Sequence, residues 1–283
     1  MSLNEIKQSI KQKLASEFEA IELNSMLSML IEHITGWNQV QQVVNKDTPI
    51  TEAQIKAFDT SANELLKGRP IQYIIGKSWF LGNEFIVNEN VLIPRPETEE
   101  LVEWIVEYAS IVDRPLSIID IGTGSGCIPI TLKNALPNCT VAGIDISTAA
   151  LAVAKLNASK LNALVEWIEQ DILMSASMPA TYDIIVSNPP YIPTREITEM
   201  QDQVKDHEPA IALFVPDADP LIFYRVIARL GKQCLTMNGQ LFFEIHYDQG
   251  KALLEMLNEM NYHAELRQDM YGKNRMIRAS LKH

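Results

Sequence analysis

The chain has 283 residues, 47% hydrophobic and 21% charged, which is enough for a full core with a smaller second unit and too apolar for a disordered chain. A formal charge of −12 and a pI near 4.9 argue against a protein whose surface lives on nucleic-acid phosphates, because that footprint is basic, and leave room only for a local basic patch. Cys127, Cys139 and Cys234 show no CxxC spacing and leave an odd count, so neither a disulfide framework nor a metal site is signalled, and with no apolar run near the roughly 18 residues of a membrane span the expectation is a soluble, cytoplasmic protein that binds no membrane.

Ile6, Ile10, Leu14, Phe18 and Ile21 recur at helical spacing with Lys and Glu between them, predicting one amphipathic helix at the start of the chain. A second helix runs through Met26, Met29, Leu30 and His33 to a stop at Gly36, and Thr51 with Gln54 reads as a capping box opening a third that ends before Gly68. Residues 1–75 are therefore expected to form a small helical bundle, with His33 a packed histidine. Two β-prone runs, Ser78 to Val87 and Val91 to Ile93, flank Asn88-Glu89-Asn90 and predict a β-hairpin linker over residues 76–96. Pro94-Arg95-Pro96 then stiffens the entry to a helix from Glu97 to Ala109, whose acids gather at the N-terminal end that favours them.

From Leu116 the pattern alternates strand and helix, so residues 97–283 predict an α/β unit with a doubly wound sheet. Strands are expected at Ser117–Ile121, Val141–Asp145, Val165–Glu169, Asp183–Ser187 and Gln240–Glu244. Helices are expected at Ile128–Ala135, Thr148–Ser159, Pro220–Leu230 and Gly250–Glu259. Two further runs, His263–Gln268 and Met276–Leu281, have no helix between them and should pair antiparallel at one edge, making seven strands.

Two loops at the carboxyl edge of this sheet carry chemistry. Asp120-Ile121-Gly122-Thr123-Gly124-Ser125-Gly126 follows a strand and opens a helix, the context in which a glycine-rich turn lets backbone approach a nucleotide-like ligand. The next strand ends at Asp145, placed to accept from both ribose hydroxyls. The spacing is G-x-G-x-G, and an acid at Asp120 would repel a pyrophosphate but hold the ammonium of a methionine moiety, which favours S-adenosylmethionine over a dinucleotide. Asp171 is placed to accept from an adenine amino group or, equally, to cap a turn. The second loop is Asn188-Pro189-Pro190-Tyr191. Its prolines cannot continue a ladder and bring no N–H, so the Asn188 side-chain oxygen and the Pro189 carbonyl are free to accept both hydrogens of a planar NH2 group while Tyr191 stacks on it. A plain Pro-Pro turn is the alternative without the glycine loop. Glu97 and Glu99 read as helix N-terminal charges before catalytic acids, Glu208 as a support for the Tyr191 loop or a solvated acid, and His246 as a residue just beyond a strand with catalysis the lesser alternative.

Asp120–Gly126, Asp145, Gln170-Asp171 and Asn188–Tyr191, in this order, resemble the class I S-adenosylmethionine-dependent methyltransferases that act on amino groups. With Gly68-Arg69-Pro70-Ile71-Gln72-Tyr73, Pro94-Arg95-Pro96-Glu97-Thr98-Glu99 and His207-Glu208-Pro209, the whole chain resembles the PrmC/HemK family. That resemblance implies N5-methylation of the glutamine in the Gly-Gly-Gln loop of class I peptide chain release factors, an N-terminal helical domain that docks the protein substrate, and a monomer with no direct nucleic-acid partner. It makes Gly122–Gly126 and Asp145 cofactor contacts and Asn188–Tyr191 the glutamine cradle, and the expected cofactor site also takes in Asp120, Asp171, Ile172 and Asn188. Ile172 stands where some members carry an aromatic residue, and Gly36-Trp37-Asn38 lacks an arginine often found there. The same cradle fits the exocyclic amine of adenine in DNA, but neither a basic groove nor a target-recognition element for base flipping is evident.

Overall fold

The computed structural model describes residues 1–199 and 202–282, and the chain divides into two compact units. The first holds Met1–Lys77 and a short later segment ending at His207; the second holds residues 78–199 and 208–282.

The first unit contains α1 (Leu3–Leu14), α2 (Ala20–Thr35), α3 (Gln39–Val44), α4 (Glu52–Leu66) and α5 (Ile71–Ile75). Capping boxes at Ser2/Glu5, Asn38/Gln41 and Thr51/Gln54 satisfy the orphan amides that open α1, α3 and α4. Gly36, at φ 75°, ends α2 and returns its N–H to the Glu32 carbonyl. Leu14, Leu27, Leu30, Phe58 and Ala62 meet in the unit's own core. The single opening helix expected through Ile21 is two: α1 stops at Leu14, the Glu17 amide closes a turn on the Leu14 carbonyl, and Ile21 lies 85% exposed on the next helix. Phe18 sits in that turn against the same core, which is why the apolar spacing continues past the helix end.

The second unit begins with the hairpin of β1 (Lys77–Phe80) and β2 (Asn83–Ile86). Its turn is at Leu81 and Gly82, with φ of 44° and 75°, the two positive angles of a type I′ turn that matches strand twist. The turn expected at Asn88–Asn90 exists, closed by Asn88 Oδ1 on the Asn90 amide and the Asn88 carbonyl on the Val91 amide, but Val91–Ile93 beyond it is not a strand. Phe80 and Phe85 are buried in this unit's core, so the hairpin packs as part of it. Then come α6 (Pro96–Ser110), β3 (Ser117–Ile121), α7 (Cys127–Ala135), β4 (Thr140–Asp145), α8 (Thr148–Lys160), β5 (Glu166–Glu169), β6 (Tyr182–Ser187) and a two-residue β7 (Ile192–Pro193). After α9 (Asp202–His207), which belongs to the first unit, follow α10 (Ala210–Leu213), β8 (Phe214–Val215), α11 (Ile222–Cys234), β9 (Leu235–Glu244), α12 (Gly250–Glu259), β10 (Tyr262–Gln268) and β11 (Asn274–Leu281).

The main sheet has seven strands in the order β10-β11-β9-β6-β3-β4-β5. The strands from β9 to β5 run parallel, and β11 pairs antiparallel with both β9 and β10, as the helix-free tail requires. Both faces are covered, so the central strands read as continuous apolar runs whose alternate residues serve opposite cores. Ile118, Ile184, Val186 and Phe242 face α6 and α7; Ile119, Ile185, Leu241 and Phe243 face α11 and α12. At the rims, β10 turns His263, Glu265 and Arg267 to solvent and β5 exposes Glu166 and Glu169.

One buried amide ties the hairpin to this sheet. Asn157, on α8 and wholly enclosed, accepts from the Ile86 amide at 2.6 Å and donates through Nδ2 to the carbonyls of Ile86 and Ser125, both at 2.9 Å. Asn157→Ala leaves buried backbone groups on β2 and in the glycine loop without partners and is expected to cost roughly 2–4 kcal/mol in urea unfolding. A loss below about 0.5 kcal/mol, the level of an ordinary surface change, would contradict this assignment.

Candidate active site

The strands β3, β4 and β6 end side by side at Ile121, Asp145 and Ser187, and the loops that leave them enclose a pocket of about 190 Å³. Its walls include Gly122, Gly124, Asp145, Asp171, Ile172, Asn188 and Pro190. Most residues singled out in the sequence therefore converge on one cavity. Asp120, Thr123, Ser125, Gly126, Pro189 and Tyr191 are not among its lining residues.

The glycines do two different jobs. Gly122 and Gly124 have φ of 77° and 53°, and a Cβ on either would meet no protein atom, so their bare backbone faces open space. Gly126, at φ 79°, is needed for packing: its Cβ would lie 2.9 Å from Ile130 Cδ1 and 3.0 Å from Trp167 Cη2. Asp145 holds the turn in place. Its Oδ2 accepts from the Gly124 amide at 2.8 Å and its Oδ1 from the Ser147 amide at 2.9 Å. Burial raises its pKa, and those amide hydrogen bonds pull against the rise.

Asp120 is fully buried under the glycine loop, and neither carboxyl oxygen has a hydrogen-bond partner among the described residues. Desolvation lifts its pKa to about 7, with the nearby Asp145 charge adding to the rise. Among the described residues Thr123 Oγ1 and Ser125 Oγ are also buried without a hydrogen bond of normal geometry, though the Thr123 hydroxyl lies near enough to Asp120 to draw its pKa down. A cationic group entering beneath the loop would relieve this uncompensated acid.

In the loop that leaves the neighbouring strand β6, the Asn188 amide is anchored by hydrogen bonds. Its Nδ2 donates to Thr98 Oγ1 at 3.1 Å, and the Thr98 hydroxyl donates to Glu244 Oε2 at 2.6 Å. Glu244 Oε1 also accepts from the Tyr191 hydroxyl, 3.3 Å away. Burial raises the Glu244 pKa to about 7, against the pull of the Thr98 hydrogen bond and the Arg275 charge. Tyr191 is thus held at its hydroxyl, with its ring tilted against His246 at 5.8 Å between centroids.

Glu97 and Glu99 do lie in the first turn of α6, whereas the reading of Glu208 needs revision. Asp171 Oδ1 accepts from the Leu173 amide at 2.9 Å, so the turn-capping role is present even though the residue also lines the cavity. Glu208 neither supports Tyr191 nor lies in solvent; it is buried, ion-paired with Arg95 and bonded to the Ile93 amide, while Pro209 after it lines the pocket. Glu99 accepts from the Leu81 amide at 2.8 Å and so fixes the hairpin turn. Sequence reasoning missed Thr98 and Glu244 as partners of Asn188, and missed the cavity walls at Asn90–Leu92 and at Pro209, Ile211, Ala212 and Phe223. The segments carrying Thr98 and Glu208 were visible as motifs, but nothing local in them shows what they touch.

The sheet order, the glycine turn after the first parallel strand and the acid at the end of the second define a class I methyltransferase. In keeping with this, residues 107–205 match the family described as "Methyltransferase small domain", and residues 5–76 match "PrmC N-terminal domain". The fold is shared with a ribosomal protein L11 methylase from Lactobacillus delbrueckii subsp. bulgaricus, with a TM-score of 0.50 and 22% identity over 70% of this chain and 84% of that one. A release factor glutamine methyltransferase from Flavobacterium psychrophilum is 41% identical over the full length of both chains, and one from Bacteroides thetaiotaomicron is 41% identical over 98% of this chain and all of the relative. The chain belongs to the release factor glutamine methyltransferase family.

The orphaned Asp120 makes a pH prediction. Its pKa is about 7 when folded and 3.8 in the ordinary case, so between those values the folded chain holds a proton that the unfolded chain has lost. Stability therefore falls as pH rises through this window, by about 4 kcal/mol once the group is ionised. Asp120→Asn is expected to melt well above the native chain at about pH 8 and to match it near about pH 4 in calorimetry. An equal shift at both pH values would assign the penalty to another group.

Proposed function

We propose that this chain transfers a methyl group from S-adenosylmethionine to the side-chain amide nitrogen of the glutamine in the Gly-Gly-Gln loop of class I peptide chain release factors. The observation that carries this reading is the Asn188 amide lining the same cavity as Gly122, Gly124 and Asp145. Full-length kinship with release factor glutamine methyltransferases supports the choice of target.

The residues present suit the cofactor. The open faces of Gly122 and Gly124 leave room for a ligand against bare backbone, and the unpartnered Asp120 carboxylate suits an ammonium. Asp145, with lone pairs left over from the Gly124 and Ser147 amides, would accept from the ribose hydroxyls, and Asp171 and Ile172 would border the adenine. Thr123, Ser125 and Gly126 complete the turn. When bound, S-adenosylmethionine supplies a methyl group made electrophilic by its sulfonium.

The protein's part is to make a poor nucleophile competent. An amide nitrogen shares its lone pair with the carbonyl, and acceptance of its two N–H bonds by Asn188 Oδ1 and the Pro189 carbonyl favours the pyramidal nitrogen that can attack. The same oxygens stabilise the positive charge arriving on nitrogen. Pro190 and Tyr191 keep the loop rigid, and the proton leaves after attack, so no general base is needed beforehand. Residues 1–75 would dock the release factor and 97–283 would carry out the transfer, with the hairpin segment of 76–96 between them. We read the chain as a cytoplasmic monomer with no direct nucleic-acid or membrane partner.

Incubation of the full chain with labelled S-adenosylmethionine, a class I release factor and duplex DNA tests the reading, with mass-spectrometric mapping of the product. Label is expected on the Gly-Gly-Gln glutamine, and label in DNA would overturn it. Asn188→Ala is expected to lower kcat by roughly a hundredfold or more, the scale of losing a preorganised polar contact, and near-native turnover would remove the cradle. In calorimetry Asp145→Ala is expected to weaken cofactor binding by about 1.5–3 kcal/mol; unchanged affinity would take Asp145 out of the site.

A further inference from the structure

A side-chain amide is nearly symmetric in shape and opposite in character at its two ends. Presented oxygen-first, Asn188 accepts from a substrate NH2; presented nitrogen-first, it sets donor against donor. Asn188 is only half-buried, so the shape of its niche does not fix the choice.

We propose that Glu244, acting through the Thr98 hydroxyl, is the positioning residue that decides which end of the Asn188 amide faces the cavity. The inference rests on the glutamine-methylation reading for its consequence in turnover, and on geometry alone for the orientation itself. An ionised Glu244 only accepts, so it commits the single Thr98 hydrogen to Oε2, at 2.6 Å. Thr98 Oγ1 then has only lone pairs left, and the Asn188 atom 3.1 Å away must be the donor Nδ2. That turns Oδ1 toward the cavity. The second oxygen of the same carboxylate accepts from the Tyr191 hydroxyl, so one buried acid orients both polar side chains of the Asn188–Tyr191 loop.

Protonation reverses the relay. A neutral Glu244 can donate to Thr98, which frees the Thr98 hydrogen for Asn188 Oδ1 and turns the NH2 outward. The groups facing Glu244 are Thr98 and Glu97 from α6, Tyr191 from the loop after β6, Arg275 from β11, and Tyr224 from α11, whose hydroxyl donates to the Glu244 carbonyl at 3.0 Å. Glu97 raises the Glu244 pKa, Arg275 lowers it, and burial outweighs both to leave it at about 7. The orienting state is therefore the one above neutrality.

The test uses the full chain and four variants. Thr98→Val keeps the shape and removes the relay, Thr98→Ser keeps the relay, Glu244→Gln removes the ionisation, and Asn188→Asp assigns the Asn188 side-chain amide resonances by their loss. In the native chain and Thr98→Ser, those resonances are expected to shift with a midpoint near pH 7, and in Thr98→Val and Glu244→Gln to be flat in that range. For methylation of a release factor, kcat is expected to rise through the same pH range. Thr98→Val should lower it roughly ten- to a hundredfold without changing the Kd for S-adenosylmethionine, while Thr98→Ser stays within about threefold of native. Flat Asn188 resonances in the native chain, or a titration that survives in Glu244→Gln, would overturn the proposal whether or not methyl is transferred. Titrating resonances in a chain that leaves release factor unmodified would uphold the positioning and overturn the function.

Discussion

Where parallel strands stop, their ladder stops too, and every N–H and C=O beyond the last pair must find another partner in a place that also has to stay open for a ligand. The loops at the carboxyl edge are built around that constraint. The Ile144 carbonyl takes the amides of both Gly122 and Thr123, the Asp145 carboxylate takes those of Gly124 and Ser147, and the Ser187 hydroxyl closes onto the Ile121 carbonyl at 2.7 Å. Asn157 satisfies Ser125 from below while pairing both backbone groups of Ile86. Although Asp145 itself lines the cavity, these bonds leave Gly122 and Gly124 with bare backbone, where a Cβ would meet no protein atom. The positive φ of three glycines follows from the same arrangement, since the chain must reverse tightly enough to bring successive amides onto the end of β4.

Much of this could be read from the sequence because its signals are local. The alternation of strand and helix after Leu116, the absence of a helix between the last two strands, and the Thr51/Gln54 box each lie within a few residues of the structure they specify. The glycine loop and Asn188–Tyr191 were legible for the same reason. The Asn188 support was not: Thr98 precedes it by 90 residues and Glu244 is 146 residues from Thr98, so only the folded sheet brings them together. Glu208 and Arg95, 113 residues apart, were hidden in the same way. The hairpin turn failed for a different reason. Asn88-Glu89-Asn90 carries strong turn chemistry and does turn, whereas the reversal between strands uses a leucine at positive φ, a conformation its side chain disfavours. At Ile21 the helical period carried on through a real break because Phe18, in the turn, keeps to the apolar face.

Asp120 and Glu244 show how the site departs from what stability alone would select. Both are enclosed carboxyls whose ionisation burial opposes, and an apolar residue at either position would spare that desolvation. They face different parts of the cavity edge. Asp120 lies beneath the glycine turn without a partner, while Glu244 lies behind Asn188 with two hydroxyls donating to it. One is an unmet charge that suits a cation, the other a met charge that imposes direction on its neighbours. Acids that a fold tolerates without structural return are concentrated where a chain does chemistry.

The charged rims of the sheet have a consequence of a different kind. An open mixed sheet displays two borders, each a row of peptide groups able to recruit a strand from another molecule. Here the outer border of β10 alternates His263, Glu265 and Arg267 toward solvent, and β5 is only four residues long with Glu166 and Glu169 exposed. An incoming strand would have to align beside these charges and desolvate them for a short stretch of ladder. The almost wholly buried strands β3 and β6, rich in Ile and Val, are inner ones, so the segments best suited to pair with another copy lie away from both borders. Resistance to sheet-to-sheet aggregation is thus written into strand order as much as into surface charge.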